Sequence, residues 1–241
     1  MTTVVISQPM YFPWAGFMAQ MALADVYIWL DDAQFSKGSF TNRIQVKLPT
    51  GRKWMTVPLG GAGSFQRIVD LSAKGQDWVE SHRQMLLQSF KGYEFSKMAL
   101  AHFDTAMAIS GSLCDRLIAG TEAQACTMGC LPPKILRASA MEISGASSDR
   151  VLSLIQAVGG DHYLTGHGAY AYLDHLALNS AGIAVSYMRY SPRPWPQNHG
   201  EFTPYVTGLD LLAATGTSAV DHLCPASLDW RSFRLPKEQT S

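Results

Sequence analysis

Short apolar runs alternate with longer mixed stretches along the 241 residues. Thr3-Val4-Val5-Ile6-Ser7 is β-branched and brief, which reads as a buried strand. Residues 13–24 contain no β-branched residue and are rich in Ala and Met. With Pro13 at the favoured first-turn position they predict a helix. Val26-Tyr27-Ile28-Trp29-Leu30 predicts a second strand, so the chain opens with a βαβ unit and a right-handed crossover. Residues 43–47 and 53–58 flank Pro49-Thr50-Gly51 and predict a hairpin. Residues 60–63, Gly-Gly-Ala-Gly, read as a flexible loop.

Residues 76–89 and 97–127 read as helices, with Gly111 marking a break in the second. Beyond them the pattern predicts a strand at 134–138 and a helix at 148–158 that Ser147 or Ser148 caps. A strand at 162–165, a helix at 170–179 and a strand at 184–188 follow. Residues 191–204 hold four prolines and read as an irregular loop, and 209–215 as a last helix. This alternation predicts an α/β fold: a mostly parallel Rossmann-like sheet with helices on both faces, a β-hairpin insertion and a helical lobe at about 76–130. No shift in composition divides the chain, so a single α/β domain over 1–241 is expected.

The composition is that of an ordinary globular protein, 47% hydrophobic and 16% charged. Lys and Arg number 19, as do Asp and Glu. That balance argues against a broad nucleic-acid surface and leaves a local basic pocket open. The N-terminus has neither a basic run nor a long apolar stretch, and no window approaches a membrane span; a cytoplasmic protein is expected. Cys114, Cys126, Cys130 and Cys224 are scattered. Cys126 and Cys130 are expected to face one way on a helix. With no second pair or histidine nearby, buried thiols are expected and a metal site is not.

Candidate chemistry gathers at the expected carboxyl ends of the strands, where open α/β sheets bind ligands. The first strand runs into Ser7-Gln8-Pro9-Met10-Tyr11-Phe12-Pro13-Trp14-Ala15-Gly16-Phe17, just before a helix N-terminus that suits an anion. Gln8, Tyr11 and Trp14 are candidates for one wall of a small-molecule pocket. Asp31 and Asp32 end the second strand; one of them can serve as general base, or both can sit in a solvated turn. Asn42-Arg43 suits a carboxylate or phosphate, or an ion pair with Asp31 or Asp32. Lys37 reads as a surface lysine. Ser148-Asp149-Arg150 at a helix start reads as a cap or as an anion site with Arg150 assisting. Gly166 and Gly168, flanking His167, permit close backbone approach to a ligand. Tyr172, expected on the first turn of the next helix, lines the pocket or packs. Gln197 and His199 lie in the proline-stiffened loop, where His199 is the candidate titrating group. His82 is expected to pack between helices. No nucleophile elbow and no phosphate-binding P-loop is present.

Trp14-Ala15-Gly16-Phe17 stands where one class of nucleotidyltransferases carries His-x-Gly-His. Both histidines are missing, so adenylyl transfer does not carry over. A closer likeness covers nearly the whole chain. Gln8-Pro9-x-Tyr11-x-Pro13-Trp14-x-Gly16-Phe17, Ala24-Asp25-Val26 and Leu30-Asp31-Asp32-x-Gln34-Phe35 resemble the N-terminal signature of the WbqC-like family. Phe40-x-Asn42-Arg43, Trp54-x-Thr56-Val57-Pro58, Ser148-Asp149-Arg150, Tyr163-Leu164-x-Gly166 and Tyr172-Leu173 continue it in order. So do Gln197-x-His199-Gly200-x-Phe202-x-Pro204 and Leu209-Asp210-Leu211-Leu212. The chain departs from the pattern at Gly168-Ala169 and Trp195-Pro196.

The resemblance implies a role in bacterial surface polysaccharide (O-antigen) biosynthesis, as a transferase moving a glycyl or other acyl group to an amino sugar or sugar nucleotide. Asp31, Asp32 or His199 would be catalytic. Gln8, Tyr11, Trp14, Gln34, Asn42, Arg43, Ser148, Arg150, Gly166, Tyr172 and Gln197 would bind substrate. The cofactor is left open between ATP and a charged carrier. The alternatives are a non-catalytic α/β module holding a nucleotide-sugar or other small anion, and a scaffold within a polysaccharide complex.

Overall fold

Strand alternation decides the layers. In the computed structural model, which describes residues 1–61 and 65–234, β1 (Thr3–Ser7) sends Val5 to one core and Val4 and Ile6 to another. β2 (Val26–Trp29) does the same with Tyr27 and Trp29 against Val26 and Ile28. Strands that are apolar on both faces need a layer on each side. α1 (Ala15–Met21), α2 (Asp77–Ser89), α3 (Ser96–Ala108), α4 (Leu113–Thr127) and α7 (Gly208–Thr215) contribute to the first core. α5 (Ser147–Ala157) and α6 (His175–Ser180) contribute to the second.

The six-stranded sheet has the order β5-β2-β1-β6-β7-β8, where β5 is Lys134–Arg137, β6 His162–Thr165, β7 Ala184–Met188 and β8 Ser227–Asp229. Five strands are parallel; β8 runs antiparallel to β7 along the edge. The chain builds outward from β1 through β2 to β5, then returns to lay β6 on the other side. The strand order therefore reverses between β1 and β6, which defines a switch point at their carboxyl ends. β3 (Arg43–Leu48) and β4 (Gly51–Thr56) form a separate antiparallel hairpin that packs Ile44, Val46 and Met55 into the first core.

Several local expectations are corrected. The first helix is shorter than 13–24, because Trp14 is its N-cap. The break expected at Gly111 is present: residues 97–127 form two helices, Gly111 takes a φ of 142° and Ser112 forms a capping box with Asp115. Neither Ser147 nor Ser148 caps α5; Ala146 is the N-cap. The Ser148 hydroxyl instead donates to the Tyr172 carbonyl and accepts from the Asp174 N–H. That clasp, with Asp174 capping Ala177, delays α6 to His175, so Tyr172 lies in a turn and not on a helix. Cys126 and Cys130 do not face one way: Cys126 is exposed on α4, and Cys130 is buried beyond its end. Cys224 is also exposed, so only Cys114 and Cys130 are buried thiols. α8 (Val220–Leu223) and β8 were not expected. Of the 60–63 loop, residues 62 and 63 lie outside the described residues; Gly60 bonds to Ser72 beside a Leu59–Ala73 bridge. Among the described residues no helix is long and apolar enough to cross a membrane.

Candidate functional site

The stretch from Ser7 to Phe17 is mostly interior. Tyr11 is fully buried, its hydroxyl 2.8 Å from His82 Nδ1. Burial drives the Tyr11 phenol upward and holds the His82 imidazole down at about 4, so this buried pair is neutral near pH 7. Phe12 takes a left-handed backbone (φ 43°), fixed by the Thr207 hydroxyl on its carbonyl and by a Trp14–Thr207 bridge. Trp14 folds back across Gly16 and packs on Tyr190 and Tyr205. Tyr11 thus packs in the core and presents no surface to a ligand, while Trp14 and Gln8 keep partial exposure. Among the described residues the Gln8 side chain makes no hydrogen bond.

At the rim where β2 and β5 end, the two aspartates part company. Trp29 pairs with Arg137 across the strands, which sets Asp31 beside the arginine. Asp31 is completely buried and accepts from Arg137 Nε (2.7 Å), the Ser139 hydroxyl (2.6 Å) and the Ser139 N–H (2.9 Å). Burial opposes its ionisation, but the Ser139 and Arg137 donors outweigh it and hold the carboxyl below its usual range. Arg137 also bonds Asp115 at the start of α4 (2.6 Å). Arg137 therefore ties Asp31 and the sheet rim to a helix. Asp32 instead pairs with Arg150 from the first turn of α5. One of its oxygens, Oδ1, and Nε of Arg150 are buried without partners. The expected pairing of Arg43 with Asp31 or Asp32 is not formed, because Arg137 and Arg150 occupy those carboxylates.

Arg43 belongs to a different place. A cavity of about 670 Å³ opens between the segment after β2 and the hairpin. Its polar wall is Gln34, Lys37, Asn42, Arg43, Thr56 and Gln66, and Phe35, Val57 and Leu59 add apolar surface. No carboxylate is among the described lining residues. Asn42 donates to the Val57 carbonyl (2.9 Å). Arg43 donates to the Gly38 carbonyl and lies over the Trp54 ring, 4.3 Å from its centroid, while its Nε is buried without a partner. Gly38 needs its φ of +84°, and a side chain there would crowd the Arg43 guanidinium.

Gln197 and His199 serve the long loop. Lys47, 3% exposed, points its ammonium at Gln197 Oε1 (3.2 Å), the Gly200 carbonyl (3.2 Å) and the Glu201 carbonyl (2.7 Å). Gln197 also closes on Thr203 through both its amide groups. Below it, buried Asp210 accepts from Trp195 Nε1 (2.8 Å), and burial raises its carboxyl to about 6. His199 sits against the Gln88 carbonyl (3.3 Å) with a φ of 63°.

The predicted site residues therefore fall into groups. Gln34, Asn42 and Arg43 share the hairpin cavity. Asp32 and Arg150 form a rim pair. Ser148 and Tyr172 form the clasp described above. Gly166 follows β6 with open space around its Cα. Gln197 and His199 pin a loop. Arg137, Ser139, Lys47 and Trp54 carry contacts that sequence reasoning missed. The signal for Arg137 is the β2–β5 register, which a sequence does not display. Among the described residues no group of three or more His, Cys, Asp or Glu is arranged to hold a metal ion.

Comparison with known proteins agrees with the signature. The chain is 29% identical over 236 residues to an uncharacterized protein of Mycobacterium tuberculosis, Rv1507c, covering 92% of this chain and 98% of that relative. No solved structure matches it significantly. The WbqC-like protein family matches residues 8–222, and the chain belongs to that family.

Proposed function

We propose that the hairpin cavity binds a nucleotide-linked amino sugar, and that the chain transfers an acyl group, glycyl among the candidates, to its amine during assembly of bacterial surface polysaccharide. The observation that carries this reading is the cavity's polarity. Lys37 and Arg43 line it with three carboxamides and no described carboxylate. Its volume falls in the range of small-molecule sites, and an anionic ligand finds two cations and several neutral donors there. Asp32, two residues before Gln34, is the candidate base. Its unpartnered Oδ1 would accept the proton as the amine nitrogen bonds the acyl carbon and the donor's leaving group departs with its electron pair. Asp31, whose oxygens already accept from three donors, is assigned to holding the rim. The donor is an activated acyl group, from ATP chemistry or a charged carrier. The same reading carries a cytoplasmic location.

One observation favours a module that holds a sugar nucleotide without turnover: both aspartates are engaged by arginines. The purified chain, incubated with UDP-amino sugars and activated acyl donors, should add the acyl mass to the sugar in mass spectrometry. Asp32→Asn should lower the rate by about 10²–10⁴ and leave binding intact. Binding without turnover selects the module. Absence of binding to every sugar nucleotide sinks both readings.

A further inference from the structure

We propose that the solvent face of the hairpin is the ring-binding half of this site: Trp54, with Phe40 beside it, stacks the planar base of a nucleoside diphosphate whose phosphates lie against Arg43 and Lys37. This rests on the anion-binding reading of the cavity and specifies what fills it.

The hairpin register makes the juxtaposition. Arg43 pairs with Thr56 and Gln45 with Trp54, so these four side chains share one face, as cross-strand partners do. Ile44, Val46 and Met55 on the opposite face fill the core, so the hairpin is anchored without help from Trp54. Trp54 is nonetheless 42% exposed and Phe40 40% exposed, with ring centroids 6.0 Å apart. Arg43 is the hinge between the two halves. Its guanidinium rests on the Trp54 indole, and the same side chain lines the cavity. Thr56 also belongs to both. The buried, unpartnered Nε of Arg43 leaves a donor unsatisfied at this junction.

A guanidinium over an indole face is held by the ring and keeps N–H groups for an anion. A ligand that suits this arrangement has a charged group next to a flat ring. Free phosphate occupies a small part of about 670 Å³ and leaves the aromatic pair idle. A long polyanion is disfavoured by the equal numbers of acidic and basic residues. A nucleoside diphosphate meets both halves: negative charge for Lys37 and Arg43, and a π-face for Trp54. Aromatic stacking tolerates any base, so it sets affinity for nucleotides as a class and does not select among bases.

The test is calorimetric titration of the full-length chain with UDP, ADP and inorganic pyrophosphate. Both nucleotides should bind about tenfold tighter than pyrophosphate. Trp54→Leu should erase that advantage and leave pyrophosphate affinity unchanged; Trp54→Phe should retain most of it. An unchanged melting temperature in the exposed-site variants confirms that folding is not the cause. Equal affinities of UDP and pyrophosphate for the wild type, or full UDP affinity in Trp54→Leu, overturns the inference. If pyrophosphate binds and Arg43→Met abolishes it while the nucleoside adds nothing, the cavity reading survives and the stacking role alone falls. If neither ligand binds, the cavity reading falls and takes this one with it.

Discussion

Replacing Asp31 by alanine tests whether this carboxylate builds the rim or works on a ligand. The substitution removes the acceptor for Arg137 Nε, the Ser139 hydroxyl and the Ser139 N–H at 2.6–2.9 Å. Hydrogen bonds to a charged group contribute about 1.5–3 kcal/mol each. Three features reduce the loss. Arg137 is 34% exposed and keeps Asp115. Ser139 is exposed, so its donors rehydrate. Removing a buried carboxylate also removes its desolvation cost. The expected net destabilisation is about 2–4 kcal/mol, as for other broken buried networks, which in a chain of this length lowers the melting temperature by roughly 5–15 °C. Asp32→Ala leaves the 17% exposed Arg150 side chain without its carboxylate and should cost about 1.5–3 kcal/mol, one hydrogen bond to a charged group. Urea denaturation at neutral pH measures both. The acid limb adds a check. The folded-state carboxyl of Asp31 titrates below its unfolded value, so its contribution is complete above roughly pH 4 and fades as pH falls through the depressed value. The gap between wild type and Asp31→Ala should therefore be flat near neutrality and close in acid. An Asp31→Ala protein as stable as wild type at neutral pH, yet inactive, would refute the structural role.

Two further outcomes follow from packing and burial. Gly16→Ala places a Cβ 2.6 Å from Trp14 Cζ3 and 2.9 Å from Tyr190 Cδ1, between two rings in contact; overpacking of this kind should cost about 1–3 kcal/mol by thermal melting. Asp210 binds its proton more tightly folded than unfolded, so wild-type stability should fall as pH rises from roughly 4 to 6. Asp210→Asn keeps an acceptor for Trp195 and leaves Lys47 its loop carbonyls, and should flatten that fall by about 2 kcal/mol; parallel denaturation curves for the two proteins across this range would show that another group titrates.

The strands of the parallel sheet were legible because they are short, β-branched and apolar on both faces, and His162–Thr165 and Ala184–Met188 were found to the residue. The hairpin was legible from Pro49 and Gly51. β8 was not, since three residues with a single apolar side chain, Leu228, carry no period. Tyr11 illustrates the limit at the candidate site. An aromatic between two prolines reads as a surface feature, and only the tertiary fold supplies His82 to receive its hydroxyl. Lys47 fails for the converse reason: its alternation marks a solvent-facing position, but residues 197–201 come from far along the chain to cover it. Gln34, Asn42 and Arg43 converge because β2 hands the chain directly to the hairpin, a local connection that the sequence order already contains.

The reversal of strand order at β1 has a consequence for how the protein is made. Its β2 partner emerges from the ribosome almost at once, whereas His162 opposite Thr3 is 159 residues away. For most of synthesis the nascent half-sheet carries an open hydrogen-bonding edge on β1, a surface prone to pairing with other chains. Emergence of β6 closes it. A fragment ending before that point should behave as an adhesive intermediate that depends on chaperones, and not as a small independent protein.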